Sequence, residues 1–251
     1  MSFDFGTEVA SSGKGIKQAS EGPHEGRVIG IVHLGMIEDT FEGKKKPAAP
    51  FVCILAEIID DEDDPQRNED GSPIVVHKTI ALKKGNKAAL HKFMTAVLSA
   101  EDLAAYKAGT LDGGMDDLIG NPIGLQMESN GKENKDGEAF VNLKAFNAMT
   151  PKAKKTLGPA ESDMIGHVRL EEITPDVLRE LPPFVIWSQM EHALNFPGSA
   201  AELALAEIRK ENPDFGTKRT GDDDEKPAEG VSRPAATPPP PADLDETTDF
   251  S

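Results

Sequence analysis

Five short runs rich in β-branched residues, broken once by a stretch of helical period, constrain this chain more than any bulk property does. Arg27–Leu34, Phe51–Ile59 and Ile74–Leu82 come first, and Pro122–Met127 and Ala139–Phe146 come last. Each has the length and composition of a strand. Between the third and the fourth, Leu90, Phe93, Met94, Val97 and Leu98 recur at the spacing that puts them on one face of a helix. Asn86 stands just ahead of that face, placed to accept from free amides as an N-cap. Asn130-Gly131 and Asp136-Gly137 mark the turn region between the last two strands.

Three strands, a helix and two strands is the order of an OB-fold, a five-stranded Greek-key barrel with its helix inserted before the fourth strand. The expected class is therefore mainly β. An SH3-like barrel lacks that helix, and a ferredoxin-like fold needs one between its first two strands, where none is visible. Residues 1–24, rich in Gly and Ser, are expected to be a flexible lead, and 25–160 the barrel. Residues 161–215 read as a small helical appendix. Thr174-Pro175 starts one helix, Phe184 to Leu194 reads as a second, and Ser199 with Glu202 has the spacing of a capping box for a third. Residues 216–251 are polar and proline-rich, with too little apolar surface to offset chain entropy, and are expected to be a disordered acidic tail.

Catalytic and metal signatures are missing. There is no P-loop and no Gly-x-Ser-x-Gly elbow, and the six histidines show no His-x-x-x-His spacing. A single cysteine, Cys53, makes neither an internal disulfide nor a thiolate zinc cluster. The expectation is a non-enzymatic protein without cofactor or metal. No run of eighteen apolar residues is present, so no membrane partner is expected. The acidic start Met1-Ser-Phe-Asp-Phe lacks the regions of a signal peptide, and a cytoplasmic setting is expected.

The net charge of −17 argues against nucleic acid until its distribution is read. Residues 60–70 and 213–251 each carry a net of −6, leaving about −5 for everything else. Three basic stretches contain no acid at all. Residues 43–56 carry Lys44, Lys45 and Lys46; residues 74–100 carry Lys78, Lys83, Lys84, Lys87 and Lys92; residues 139–160 carry Lys144, Lys152, Lys154 and Lys155. In an OB-fold the first-to-second-strand loop and strands two and three flank the oligonucleotide groove. Alternation along the fifth strand puts Phe140, Asn142, Lys144 and Phe146 on one face, where rings could stack on bases and an ammonium could meet phosphate. The candidate DNA-binding residues are thus Lys44, Lys45, Lys46, Lys78, Lys83, Lys84, Lys87, Phe140, Lys144 and Phe146. The plainer reading packs Phe140 and Phe146 beneath the C-terminal helices. The tail closes with Asp243, Asp245, Glu246, Asp249 and Phe250, an aromatic set among acids that a basic apolar pocket on a partner could read. The plainer reading is a solubility tail.

Several stretches resemble the replication single-stranded DNA-binding proteins of tailed bacteriophages. They are Glu25-Gly-Arg-Val-Ile-Gly-Ile-Val-His-Leu-Gly35, Lys78-Thr-Ile-Ala-Leu82 with Asn86-Lys-Ala-Ala-Leu-His-Lys-Phe93, and Leu118-Ile-Gly-Asn-Pro-Ile-Gly-Leu-Gln-Met127 with Gly137-Glu-Ala-Phe-Val-Asn-Leu143. Leu181-Pro-Pro-Phe-Val185 and Ala193-Leu-Asn-Phe-Pro-Gly-Ser199 follow in the same order. The resemblance covers roughly 25–212, and Ser251 after Phe250 departs from it. It implies sequence-nonspecific binding that protects single-stranded DNA during phage DNA replication or recombination, in the host cytoplasm. It also implies that the acidic tail recruits phage or host replication and recombination proteins. Homo-oligomerisation stays open. The alternative is an OB-like protein-interaction adaptor that binds no DNA.

Overall fold

A computed structural model describes residues 18–217, except 39, 42–43, 60–66, 69, 84, 111–113 and 134–138. The strands are β1 (Gly22–Ile37), β2 (Thr40–Phe41), β3 (Lys44–Lys45), β4 (Ala49–Ile58), β5 (Val75–Ala81), β6 (Pro122–Glu133), β7 (Ala139–Asn147) and β8 (Gly166–Val168). The helices are α1 (Ala89–Val97), α2 (Ala100–Ala108), α3 (Pro151–Thr156), α4 (Pro175–Glu180), α5 (Pro183–Ser188) and α6 (Ala200–Glu211). The result is a mixed α/β protein built on one open sheet. Its antiparallel path runs β5-β4-β1-β6-β7, and β8 joins β1 in parallel. β2 and β3 form a separate two-residue ladder in the β1–β4 connection.

β1 organises the sheet because it is 16 residues long and pairs along both edges. On one side Gly26 to Ile37 pairs with β4. On the other, Gly22 to Arg27 pairs with β6, and the backbone beyond finds new partners in turn. Val28 exchanges bonds with Asn121 and Gly120, Ile29 O accepts from Ile165 N, and Gly30 to Val32 pairs with β8. No stretch of this buried strand is left without a hydrogen-bonding neighbour, as a strand in the middle of a protein requires. Gly26 lies where β4 and β6 close on β1 from both sides; a Cβ there would stand 2.4 Å from Glu57 O and 2.7 Å from Leu125 Cδ1.

Both faces of the β1–β4 pair are buried. The inner row (Val28, Ile31, Val52, Ile54, Ala56) meets Leu90, Phe93, Met94 and Val97 of α1. The outer row (Ile29, Val32, Leu34, Cys53, Leu55) meets Leu178, Val185, Ile186, Met190, Leu205 and Ile208 of the C-terminal helices. Each such side chain withdrawn from water contributes roughly 1.5–3 kcal/mol, so the two cores are of comparable weight. The helices expected after the strands therefore share a core with the outer face of the sheet.

Local expectations are met at Thr174 and Ser199, whose hydroxyls cap α4 and α6. They are corrected elsewhere. Asn86 caps nothing: residues 85–88 form a turn closed by Ala88 N to Gly85 O, and α1 starts after Ala88 without a side-chain cap. The single helix expected over 184–194 breaks at Gln189 into α5 and a 3-10 turn, Met190–His192. The lead expected to stay flexible to residue 24 is structured from residue 18. Ala19 is buried in the inner core, Gln18 Oε1 accepts from Val141 N, and Glu21 Oε1 accepts from Ser129 N. Gly131 lies inside β6, and Gly137 lies outside the described residues.

Candidate nucleic-acid interface

The two ends of the sheet path, β5 and β7, face each other across a seam that no ladder closes among the described residues. Lys78 bridges it. It sits on the row of Val76 and Ile80, opposite Ile54, and its Nζ donates to Leu143 O at 2.8 Å. A lysine on an apolar row reaches polar ground only by extending past its apolar neighbours to the edge of the sheet, which the four-carbon stem allows. Burial, and then the nearby Lys144 ammonium, lower its pKa below the ordinary lysine value.

Lys144 owes its position to a bulge. Gln126 pairs with Ala145 and Met127 with Leu143, which leaves Lys144 as one extra residue on β7. Its side chain is 66% exposed and stands 3.5 Å from Glu128 Oε2, an exposed pair of small energetic weight. The inserted residue reverses the phase of everything after it, because strand side chains alternate with period two. The expected common face of Phe140 and Phe146 is thereby corrected. Phe140 is 39% exposed, whereas Phe146 is 9% exposed and packs on Phe93 with ring centroids 5.0 Å apart. Phe146 is a core residue and offers no ring to a ligand.

Lys83 and Lys87 are exposed beyond the end of β5, and Lys46 is half-buried beyond β3. Lys44 and Lys45 form β3, but their side chains lie outside the described residues. Lys84 and the tail residues Asp243, Asp245, Glu246, Asp249 and Phe250 lie outside them altogether. Of the candidates, then, Lys78 and Lys144 are brought together, with Phe140 four residues before Lys144 on the same strand.

The outer face of the second long strand, β4, is not an open groove wall. Cys53 and Leu55 are buried there, and burial pushes the Cys53 thiol up to about 12. Glu57 is 1% exposed, its carboxylate accepting from Glu161 N at 2.8 Å and Ser162 N at 2.6 Å. The neighbouring outer row of β5 is more open. His77 there meets the ring of Phe184 at 5.4 Å, and burial, then Lys78, lowers its pKa. Phe184 is 43% exposed. Local periodicity gave no sign of this ring, since Phe184 stands on α5 beside the buried Val185 and Ile186; the two prolines before it were its only marker.

Among the described residues no group of three or more His, Cys, Asp or Glu could hold a metal ion. No described helix is long and apolar enough to cross a membrane. No protein-family model matches the chain, and no curated protein matches it.

Proposed function

We propose that this chain binds single-stranded DNA without reading its sequence, on a barrel of OB type. Strand order and the place of α1 between β5 and β6 agree with that fold. The observation that carries the reading is the meeting of Lys78 and Lys144 at the β5–β7 seam, on the strand that exposes Phe140. Two ammonium groups this close repel each other, and a phosphate between them relieves that repulsion. The exposed Phe140 ring, further back along the same strand, supplies a stacking surface that accepts any base. In this reading the chain protects single strands during phage replication or recombination. Its acidic tail, ending Asp249-Phe250-Ser251, competes with DNA for the basic surface and recruits partner enzymes.

Fluorescence anisotropy with labelled oligo-dT tests the proposal. Residues 1–251 should bind the single strand more tightly than duplex, and a 1–215 truncation should bind more tightly still. Neutralising Lys78, Lys83 and Lys144 together should weaken binding and reduce the log–log salt slope by about 2, at roughly 0.7 per phosphate contact. No binding at low salt, by the full chain or by the truncation, would discard DNA and leave the adaptor built on the same barrel.

A further inference from the structure

The chain between α3 and β8 runs along the outer side of the sheet and is fastened there by polar groups. Arg27 donates to Leu157 O and Gly158 O, Glu57 accepts from residues 161 and 162, and Ile165 N bonds Ile29 O. The last fastening, at β8, is of another kind. His33 of β1 and His167 of β8 face each other with 2.9 Å between their Nε2 atoms. The other nitrogen of His167, Nδ1, lies 3.3 Å from Asp116 Oδ2 on the 3-10 turn Asp116–Leu118.

Counting hydrogens defines what this arrangement tolerates. The facing nitrogens need one hydrogen between them. In the neutral pair, His167 Nδ1–H donates to Asp116, so its Nε2 is an acceptor and His33 Nε2–H is the donor. A first added proton goes to His33 Nδ1 and leaves the bond intact. A second has only His167 Nε2 to occupy, and two N–H groups then point at each other. We propose that His33 and His167 form a proton-counting latch, which holds β8 and the helical segment after it on β1 and lets go when both rings are protonated.

The surroundings bear on both steps. Arg169 lies near His33 on the β8 side and opposes its protonation; Glu171 and Glu172 of the next 3-10 turn favour it. Asp116, its side chain 70% exposed, is the carboxylate that faces His167. From β4 the residue opposite His33 is Val52, without charge. The 3-10 turn Met190–His192 also lies against β1; its Glu191 is paired with Arg209 at 2.7 Å, and its His192 is exposed. Burial, then His167 and Arg169, lower the His33 pKa from the ordinary 6.5. The folded chain therefore binds fewer protons than the unfolded one just below that value. The stability this group contributes is whole above 6.5 and is lost as pH falls below it.

Two measurements on the full chain test the latch. Long-range proton–nitrogen NMR at about pH 8 should find Nε2 protonated on His33 and Nδ1 protonated on His167. Hydrogen exchange of Gly166, His167 and Val168, corrected for intrinsic rate, should quicken about tenfold between about pH 8 and about pH 5. In His33→Gln, whose amide still donates to His167 but does not titrate, that quickening should vanish while protection at about pH 8 stays. Two Nδ1–H tautomers, or the same pH dependence in His33→Gln as in the parent, would overturn the proposal.

Discussion

The two faces of the β1–β4 pair are both dry, yet they are closed by different chemistry. The inner face is covered by α1, which follows β5 directly, and the contact is apolar throughout, from Val28 and Ile54 to Phe93 and Met94. The outer face is covered by helices more than a hundred residues further along the chain. The chain reaches them through residues 157–168, a strap fastened by the Arg27 guanidinium, the Glu57 carboxylate and the His33–His167 pair. Apolar burial is non-directional and does not respond to pH. Polar fastenings are directional, and removing one member strands the other. The inner core should accordingly set global stability, and the strap should set how readily the outer cover opens locally.

Phe146→Ala tests the inner side and should have the largest effect, a loss of about 3–5 kcal/mol measured by urea unfolding. Phe140→Ala, six residues earlier on the same strand, should leave the unfolding midpoint almost unmoved and weaken oligo-dT binding instead. Equal destabilisation by the two would mean that the bulge at Lys144 does not divide them. Glu57→Ala tests the outer side. The amides of Glu161 and Ser162 lose their buried acceptor, and the expected cost is about 2–3 kcal/mol. Hydrogen exchange should rise in residues 157–168 more than in α1; a uniform rise would join the strap to the global unit. Lys144→Ala should do least to the fold, within about 0.5 kcal/mol, because its ion pair with Glu128 is exposed. A larger loss of stability would make the seam a structural closure rather than a binding surface.

Much of this comparison could be read in the residues. The five apolar runs and the Leu90–Leu98 face became β1, β4, β5, β6, β7 and α1, because period-two and helical spacing depend on near neighbours alone. Ser199 and Thr174 cap as their positions require, for the same reason. The acid-free run 74–100 takes in β5, the strand that carries Lys78. Phe146 was misread because alternation was carried through a bulge that only the pairing with β6 creates. The strap was missed because Arg27, Glu57 and His33 look like ordinary surface residues in their own strands, and their partners lie 104 to 134 residues away.

What the amino-acid order determined by itself is the five main strands, the helix between the third and fourth of them, and the division of charge: strands where β-branched runs allow a pleat, a helix where apolar residues recur at helical spacing, and lysines segregated from acids. What only the tertiary structure decided is which faces those elements present. Pairing register set the buried side of β7, and the returning helices turned the outer face of β4 into a second core. Such choices depend on contacts between distant segments, whose free energy no local window of sequence contains.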